Sequence, residues 1–355
     1  MQANKTKQNT RELEVIGVMS GTSLDGLDLA WCRFDADDPS QFELLSTKTL
    51  PYPESLQGKL SEAVKIPAED LFELDAELGR WFGKQLVDFI GTRPAPDAVA
   101  SHGHTVFHQP ERGITVQIGN PAHIKAATGL PVISDFRSLD VALGGQGAPL
   151  VPVGDQLLFS AYDYCLNLGG IANISYSSNE NKRVAFDVTF CNMVLNHLSG
   201  RMGKDYDEGG EMARSGSVIQ ELLTALDKWS YYDQKGPRSL GFEQVSADIF
   251  PIVEDGDVAD LLHTCVLHIA QRIAQCCNKP GRMLITGGGS HNSFLREQME
   301  QSLSGVEVVY PEPWLVDYKE AIVFALLGAL RIWGKVNVLS SVTGASEDSV
   351  SGQYL

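Results

Sequence analysis

The sequence predicts an α/β protein of two domains, each with a mixed sheet. Residues 15–32 and 164–176 both show the pattern of a strand, a turn of small residues and a second strand. In each half of the chain, further strands and helices follow this hairpin, which is the order expected of an α/β domain with a mixed sheet. The chain is therefore predicted to contain one architecture twice.

The elements of the first half follow from local patterns. A strand, a polar turn and a second strand are predicted within 15–32, and further strands at 42–50, 97–101, 114–118 and 131–134. A long helix at 68–90 is predicted because its apolar residues recur at i, i+3 and i+4, namely Leu71, Leu74, Leu78, Trp81, Phe82, Leu86 and Phe89. Asn120 is predicted to cap a second helix that starts at Pro121 and that Gly129 ends.

The second half repeats the alternation. Strands are predicted at 164–168, 171–176, 183–188, 282–286 and 306–310, and helices at 192–198, 211–229, 258–277 and 318–333. The Gly- and Pro-rich stretch 143–149 is predicted to cross between the domains, although its composition fits a surface connection equally well. The predicted domains are 1–140 and 141–336, with the tail 337–355 returning to the first domain.

Composition restricts the classes of partner. The 355 residues carry a formal charge of −17, which argues against nucleic acid or an anionic membrane as the main partner, because both need a basic surface. The longest apolar run, 321–330, is too short to cross a bilayer, which takes about 20 residues. Residues 1–10 resemble a loose tail without a signal peptide, and the six cysteines form no C-x-x-C pair. A cytoplasmic location with reduced thiols is therefore predicted.

The loop between the first two strands is a candidate phosphate site. Its glycines let the backbone approach a ligand and its hydroxyls add donors, the residues being Gly21, Gly26, Ser20, Thr22 and Ser23. An ordinary hairpin turn is the alternative, and the similar turn at 169–170 favours the phosphate site. The P-loop motif is absent, but three glycines follow the strand 282–286, which fits either nucleotide contact or a plain turn.

Two carboxylates and three histidines, His102, His104 and His108, are candidates for catalysis or metal binding. Asp187 ends an apolar strand, where α/β proteins place acid and base groups, but an N-cap or an Asx turn gives the same pattern. Glu320 lies in a near capping box and is predicted to close the N-terminus of the last long helix. His102 and His104 would share one face of a strand, as in some zinc sites, but no third ligand follows at a recognised spacing. A polar strand end is the favoured interpretation of the histidines.

Seven short motifs are spread over nearly the whole chain. They are residues 19–28 (MSGTSLDGLD), 117–122 (QIGNPA), 135–138 (DFRS), 144–152 (GGQGAPLVP), 167–174 (NLGGIANI), 286–289 (TGGG) and 319–322 (KEAI). In this order they resemble the motifs of the anhydro-N-acetylmuramic acid kinase family. The resemblance implies two ribonuclease-H-like domains of the actin-like ATPase fold, shared by sugar kinases, actin and heat-shock chaperones, with ATP in the cleft between the domains.

The resemblance also implies roles for individual residues. The first phosphate loop would consist of Ser20, Gly21, Thr22, Ser23, Leu24, Asp25, Gly26, Leu27 and Asp28, with Asp25 also a ligand of Mg²⁺. The rest of the ATP site would consist of Gly169, Gly170, Asn173, Gly287, Gly288, Gly289 and Asn292. The sugar would contact His104, Thr105, Arg137 and Glu320. Asp187 falls at the position of the family's catalytic base.

The implied reaction follows from the chemistry of the substrate. In a 1,6-anhydro sugar, O6 is an ether oxygen and cannot be phosphorylated directly. The resemblance implies that Asp187 activates a water that attacks C1, and that the departing O6 takes the γ-phosphoryl group of ATP. The product would be N-acetylmuramic acid 6-phosphate, which is formed in the recycling of cell-wall peptidoglycan. A homodimer is also expected from the resemblance.

Three stretches depart from the family's pattern. Residues 188–192 are VTFCN in place of T-G-P-x-N, so a flexible Gly is lost and the bulky Phe190 is gained. His104 stands where Gln is usual, and residues 236–243 are GPRSLGFE in place of PPKSTGRE. The same amino sugar is the first choice of substrate. The alternatives are a kinase of another anhydro sugar, such as levoglucosan, and a nucleotide-binding ATPase module without sugar chemistry.

Overall fold

The computed structural model describes residues 11–21, 24, 26–180, 182–234 and 238–355. Its strands are, in chain order, β1 (Glu12–Ser20), β2 (Leu27–Asp35), β3 (Glu43–Leu50), β4 (Ala98–Gln109), β5 (Ile114–Ile118), β6 (Val132–Ser134), β7 (Tyr164–Leu168), β8 (Ile171–Ser177), β9 (Arg183–Phe190), β10 (Gly281–Thr286), β11 (Val306–Val309) and β12 (Gln353–Tyr354). The prediction of a mixed α/β fold is confirmed.

The α-helices alternate with these strands. They are α1 (Glu54–Glu62), α2 (Ala68–Ile90), α3 (Pro121–Thr128), α4 (Ser138–Ala142), α5 (Val151–Leu158), α6 (Asn192–Gly200), α7 (Glu211–Ser215), α8 (Gln220–Asp227), α9 (Phe242–Asp248), α10 (Val258–Cys276), α11 (Ser293–Ser302), α12 (Pro313–Trp333) and α13 (Ser340–Thr343). Over the described ranges, no helix has the length and apolar character needed to cross a membrane.

The chain divides into two compact units. Unit 1 consists of Met1–Phe159 and Tyr318–Leu355, and unit 2 consists of Ser160–Asp317. The crossings therefore lie about 20 residues from the predicted ones at both ends of unit 2, because α5 and most of α12 pack within unit 1. A Cβ on Gly154 of α5 would lie 2.4 Å from Val323 of α12. The backbone of α5 at Gly154 therefore packs directly against the Val323 side chain of α12, and both helices lie in unit 1.

The two sheets share one strand order. In unit 1, β3, β2, β1, β4 and β6 follow one another, with β12 beside β6 and β5 beside β4. In unit 2 the order is β9, β8, β7, β10 and β11. In both sheets the first three strands of this order pair antiparallel with one another. The remaining two, β4 and β6 in unit 1 and β10 and β11 in unit 2, run parallel to β1 and β7, respectively. The predicted duplication is confirmed at the level of topology.

The predicted caps and apolar stripe are confirmed in unit 1. Asn120 accepts a hydrogen bond from the Ala122 amide at the start of α3, and Gly129 ends α3 in the left-handed conformation. The α2 stripe packs into the core of unit 1, and its fully or nearly buried members are Leu74, Leu78, Phe82, Leu86 and Phe89. On the other face of the sheet, α12 lies so close that a Cβ on Gly17 would come 1.8 Å from the Ala321 carbonyl oxygen.

Two helix predictions are wrong in their bounds. The predicted helix 211–229 is two helices, α7 and α8, because the backbone between them bonds to α10. The Ser217 amide donates to Asp260 (2.7 Å) and the Ile219 amide donates to Thr264 (2.9 Å). The helix predicted to start at residue 318 starts at Pro313, since proline suits the first helical turn.

Candidate functional site

The first predicted phosphate loop joins β1 to β2 in unit 1. Ser20 ends β1 as a buried residue, and the Leu24 amide donates a hydrogen bond to the Gly21 carbonyl (3.3 Å). Thr22, Ser23 and Asp25, including the predicted Mg²⁺ ligand, lie outside the described residues. Gly26 and Leu27 are buried where the chain enters β2.

Ser20 belongs to a short chain of polar side chains. Its hydroxyl lies 2.9 Å from Nδ1 of His104 and receives a hydrogen bond from the Tyr52 hydroxyl (2.6 Å). The Ser20 oxygen can either donate to Nδ1 or accept from it as a second hydrogen bond, so this contact fits both tautomers of the His104 ring. Burial lowers the pKa of His104 and raises that of Tyr52 to about 12, so both groups are uncharged near neutral pH. Thr105, the next residue, accepts a longer hydrogen bond from Gln117 (3.4 Å).

Arg137 is held against the same strand. Its Nε and Nη2 lie 3.0 and 2.9 Å from Nε2 of His102, and its Nη1 donates to the Gly147 carbonyl (2.6 Å). Burial lowers the pKa of Arg137 to about 10, against the opposing influence of Glu320 and Asp140. Both ring nitrogens of His102, and Nδ1 of His104, are thus engaged by protein groups. No cluster of three or more potential metal ligands occurs in the part of the chain that the structure describes.

Glu320 lies in the second turn of α12, so the prediction that it caps this helix is wrong, because the helix begins seven residues earlier, at Pro313. Its side chain reaches solvent, yet desolvation raises the pKa of its carboxyl, with Asp28 adding to the shift. Arg137 and Lys319 act in the opposite direction. Asp28 accepts a hydrogen bond from Thr49 (2.6 Å), whose hydroxyl also lies 3.1 Å from that of Tyr318. Predicted phosphate-side and sugar-side residues therefore share one electrostatic environment.

Sequence reasoning missed the ion pair beside Glu320. Nζ of Lys319 lies 2.8 Å from Oδ1 of Asp155, and both side chains are less than one-tenth exposed. The ammonium also lies 5.6 Å from the centre of the Phe159 ring. Asp155 gave no signal of its own in the sequence, because its partner is far away along the chain. The pair joins α5 to α12 immediately before Glu320.

A separate cavity of about 250 Å³ indents unit 1 between β4, β5 and β6. Its lining includes Ser101, whose buried hydroxyl has no hydrogen-bond partner. The space is large enough for several water molecules, which would satisfy such a group. None of the predicted sugar contacts lines this cavity.

In unit 2 the structure brings the predicted glycine motifs together. Gly169 and Gly170 form the turn between β7 and β8, and the Asn192 and Met193 amides at the start of α6 donate to their carbonyls (3.1 and 3.0 Å). Gly287 ends β10 at φ 86°, where a Cβ would lie 2.8 Å from the Leu168 carbonyl oxygen. Only glycine combines this backbone conformation with this close approach.

Asn192 joins these two glycine motifs, although it was not among the predicted site residues. Its amide donates to the Leu168 carbonyl (3.0 Å), and a Cβ on Gly289 would meet its oxygen at 3.1 Å. The side chain of Asn292 instead caps α11 by accepting from the Leu295 amide (2.9 Å). The side-chain oxygen of Asn292 would also lie only 2.2 Å from a Cβ on Gly210. Asn292 therefore packs against Gly210 and stabilises the start of α11.

Asp187 lies within β9, opposite Asn173 of β8. One carboxylate oxygen, Oδ2, accepts a hydrogen bond from the Leu240 amide (2.8 Å). The strand continues to Phe190 and Cys191 precedes α6, so Asp187 does not cap that helix. Burial raises the pKa of Asp187 to about 6, although the Leu240 amide and Arg238 oppose the shift. A carboxyl of this kind exchanges a proton near neutral pH.

The residues that depart from the family's pattern after Asp187 lie in the core of unit 2. Val188, Thr189, Phe190 and Cys191 are all buried. The Phe190 ring stacks on His268 (5.5 Å between centres, 15° between planes) and also contacts Trp229. The Thr189 hydroxyl bonds to the Tyr232 hydroxyl (2.6 Å). These replacements therefore change the core packing against β9.

The chain is similar in sequence to known proteins over almost its whole length. The model of the family "Anhydro-N-acetylmuramic acid kinase" matches residues 13–355. Proteins named anhydro-N-acetylmuramic acid kinase from Shewanella pealeana, Pseudomonas savastanoi pv. phaseolicola and Sulfurimonas denitrificans are 34%, 36% and 32% identical. The alignments cover 96%, 95% and 95% of this chain and 97%, 97% and 98% of those proteins.

A solved structure was also matched, the activator of the 2-hydroxyisocaproyl-CoA dehydratase from Clostridium difficile with bound ADPNP. The TM-score is 0.43 at 13% identity, with 89% of this chain and 96% of that chain covered. Such distant similarity adds nothing to the assignment, which depends on the family model and the relatives. The sequence match over nearly all of both proteins means that this chain belongs to the anhydro-N-acetylmuramic acid kinase family.

Proposed function

We propose that this protein uses ATP to convert 1,6-anhydro-N-acetylmuramic acid to N-acetylmuramic acid 6-phosphate. The proposal depends above all on Asp187, a carboxyl at the family's base position with one oxygen bonded to Leu240 and a pKa of about 6. Above that pH the ionised carboxylate can take a proton from water. The names of the relatives that cover nearly the whole chain supply the substrate.

The proposed reaction balances with one water per turnover. Asp187 takes a proton from the water while the water oxygen bonds to C1, and the bond between C1 and O6 breaks. O6 then bonds to the γ-phosphorus of ATP, and ADP leaves. The proton on Asp187 passes to solvent, so the products are the 6-phosphate, ADP and one proton.

The glycine motifs of unit 2 are proposed to contact the nucleotide. At Gly169, Gly170 and Gly287 the backbone carries no Cβ atom, and Gly287 closely approaches the Leu168 carbonyl, which directly precedes Gly169 in the chain. Ser20 to Asp28 are proposed to contact the phosphates from unit 1. Their hydroxyl and carboxylate oxygens are donors that Mg²⁺ prefers, and Asp25 is the proposed ligand. The ion, when bound, would neutralise charge on the phosphates.

The sugar is proposed to bind unit 1 through His104, Thr105, Arg137 and Glu320. Nε2 of His104 offers a polar contact, the guanidinium of Arg137 offers donors, and Glu320 offers an acceptor. The lactyl carboxylate of muramic acid would suit the positive charge of Arg137, which Glu320 and Asp140 stabilise against its burial. A cytoplasmic location, expected from the composition, and a homodimer, expected from the resemblance, remain part of the proposal.

The test is to incubate the purified protein with ATP, Mg²⁺ and either anhydro-N-acetylmuramic acid or levoglucosan in H₂¹⁸O. We expect the amino sugar to give a ring-opened 6-phosphate with ¹⁸O at C1 and none in the phosphate. Faster turnover of levoglucosan would replace the proposed substrate. ADP formation that needs no sugar would instead indicate an ATPase module.

A further inference from the structure

Four hydrogen bonds hold Asp187 to the segment after α8. The Asp187 amide donates to the Arg238 carbonyl (3.0 Å), and the Asp187 carbonyl accepts from the Tyr231 hydroxyl (2.6 Å) and from Nε of Arg238 (3.3 Å). The Leu240 amide bonds to Oδ2 of the carboxylate (2.8 Å). We call Tyr231, Arg238 and Leu240 the Asp187 clamp. It fixes both the main chain and one carboxylate oxygen.

Arg238 is held in the clamp by aromatic rings. Its guanidinium carbon lies 5.1 Å from the centre of the Phe186 ring, 5.0 Å from that of Tyr231 and 5.9 Å from that of Tyr232. Among the described residues, no carboxylate forms an ion pair with Arg238 within 4.0 Å. A guanidinium stacks on rings while keeping donors in its plane, which an ammonium cannot do. This difference matters because the family pattern has Lys at this position.

The rings under Arg238 have their own support. The Tyr232 hydroxyl bonds to the Thr189 hydroxyl (2.6 Å) and to Nε2 of His268 (2.8 Å), and Arg272 lies 3.8 Å above the Tyr232 ring. Nδ1 of His268 lies 3.2 Å from Asp227. Burial holds the pKa of His268 at about 4, so the ring is neutral and accepts from Tyr232. Thr189 and Arg238, both departures from the family's pattern, therefore meet at Tyr232.

We propose that Arg238 is a positioning residue for Asp187, which it holds by the main chain so that Oδ2 bonds to Leu240 and Oδ1 receives the proton from water. The inference rests on the proposed function of Asp187 as the base. Among the described residues of unit 2, the ionisable groups that face Asp187 are Arg238 and Tyr231, since Asn173 on the neighbouring strand does not titrate. The charge of Arg238 thus favours the ionised carboxylate that the reaction needs.

The test compares Arg238→Met, Arg238→Lys and the wild type by kcat, KM and the pH profile of kcat/KM. For Arg238→Met we expect kcat to fall at least tenfold with KM for ATP within twofold, and the acidic limb to move up by half a pH unit or more. Arg238→Lys should keep the limb in place, because it keeps the charge, while kcat falls less. Arg282→Met, which removes a similar ring-stacked arginine at Tyr162, is the control and should change neither quantity.

A second readout does not depend on turnover. ¹³C NMR of aspartate-labelled protein, with the Asp187 signal assigned from Asp187→Asn, gives the pKa of Asp187 directly. A higher pKa in Arg238→Met supports the inference even if the wild type fails to phosphorylate the anhydro sugar, which would contradict the proposed function alone. If Arg238→Met does not fold, the same measurements are made on Arg238→Lys and Tyr231→Phe. Unchanged kcat, pH limb and Asp187 pKa with only a lower melting temperature would overturn the inference.

Discussion

The two units share a strand order but treat their carboxylates differently. In unit 1, Glu320 and Asp155 lie near cations, Arg137 and Lys319, and Asp28 accepts a hydrogen bond from Thr49. In unit 2, Arg238 lies near Asp187, whose pKa burial raises to about 6. Desolvation raises the pKa of Glu320 as well, but there Arg137 and Lys319 both oppose the shift and Asp28 adds to it. The comparison indicates that the shared topology is a scaffold, whereas the charges around a desolvated carboxyl differ between the units.

The equivalent turns differ in the same way. Residues 21–26 connect β1 to β2, whereas Gly169 and Gly170 alone connect β7 to β8. The longer loop contains hydroxyls and one carboxylate, and the shorter one offers only backbone. Under the proposed function, side-chain contacts to phosphate and metal therefore come from unit 1, and unit 2 contributes close backbone approach and the base.

The largest expected effect tests the claim that unit 2 supplies the base. Asp187→Asn removes the proton acceptor while keeping the shape, so kcat should fall about 10³-fold. ATP binding, measured by calorimetry, should stay within twofold. In the wild type, kcat/KM should fall as the pH drops below about 6, because Asp187 becomes protonated.

The control for this change is Asp233→Asn, which alters an exposed carboxylate in the segment that follows α8. It should leave kcat unchanged. Retention of more than a tenth of wild-type kcat by Asp187→Asn would move the base elsewhere, and the charged cluster of unit 1 would be the next place to search.

A smaller effect tests the claim that unit 1 depends on charge compensation. Lys319→Met leaves Asp155 as a buried charge without its ammonium, and the free energy of unfolding should fall by about 3–5 kcal/mol. Hydrogen exchange followed by mass spectrometry should show the loss of protection in peptides of unit 1. Lys59→Met breaks an exposed pair with Glu77 and should cost at most about 1 kcal/mol. Equal losses in the two variants would mean that burial of the pair is unimportant.

The sequence predicted best the elements that local patterns determine. The α2 stripe and the caps Asn120 and Gly129 depend on neighbours within one or two turns, and all are present. The short helices α1, α5 and α9 were missed, because helices of seven to nine residues are stabilised mainly by packing. The end of the helix predicted at 211–229 was missed for a similar reason, since side chains of α10 satisfy its backbone.

The candidate site was predictable as motifs but not as contacts. The resemblance supplied Asp187 and the glycine loops, yet nothing near Asp187 in sequence indicated that Tyr231, Arg238 and Leu240 would bond to it. Phe190 stood out in the sequence only as a bulky departure from the family's pattern, and its packing on His268 could not be read from its neighbours. Long-range contacts and the direction in which a strand residue points are set by tertiary packing.

The smallest of the three effects tests the claim that unit 2 contributes close backbone approach. Gly287→Ala should weaken ATP binding about tenfold or more, because at φ 86° the new Cβ would lie 2.6 Å from Oδ1 of Asn167 and 2.8 Å from the Leu168 carbonyl oxygen. The strain would displace the turn that carries Gly169 and Gly170. Gly288→Ala is the matched control, since nothing lies within 4 Å of its Cβ.

The comparison of the two alanine variants separates contact from mere glycine content. Calorimetry should show normal ATP affinity for Gly288→Ala, and both proteins should melt as cooperatively as the wild type. Equal weakening by the two variants would mean that ATP itself occupies the space above Gly288, whereas normal affinity in both would place the nucleotide away from this loop. Only weaker ATP binding by Gly287→Ala than by Gly288→Ala supports a turn in unit 2 at which the nucleotide needs a backbone without a Cβ.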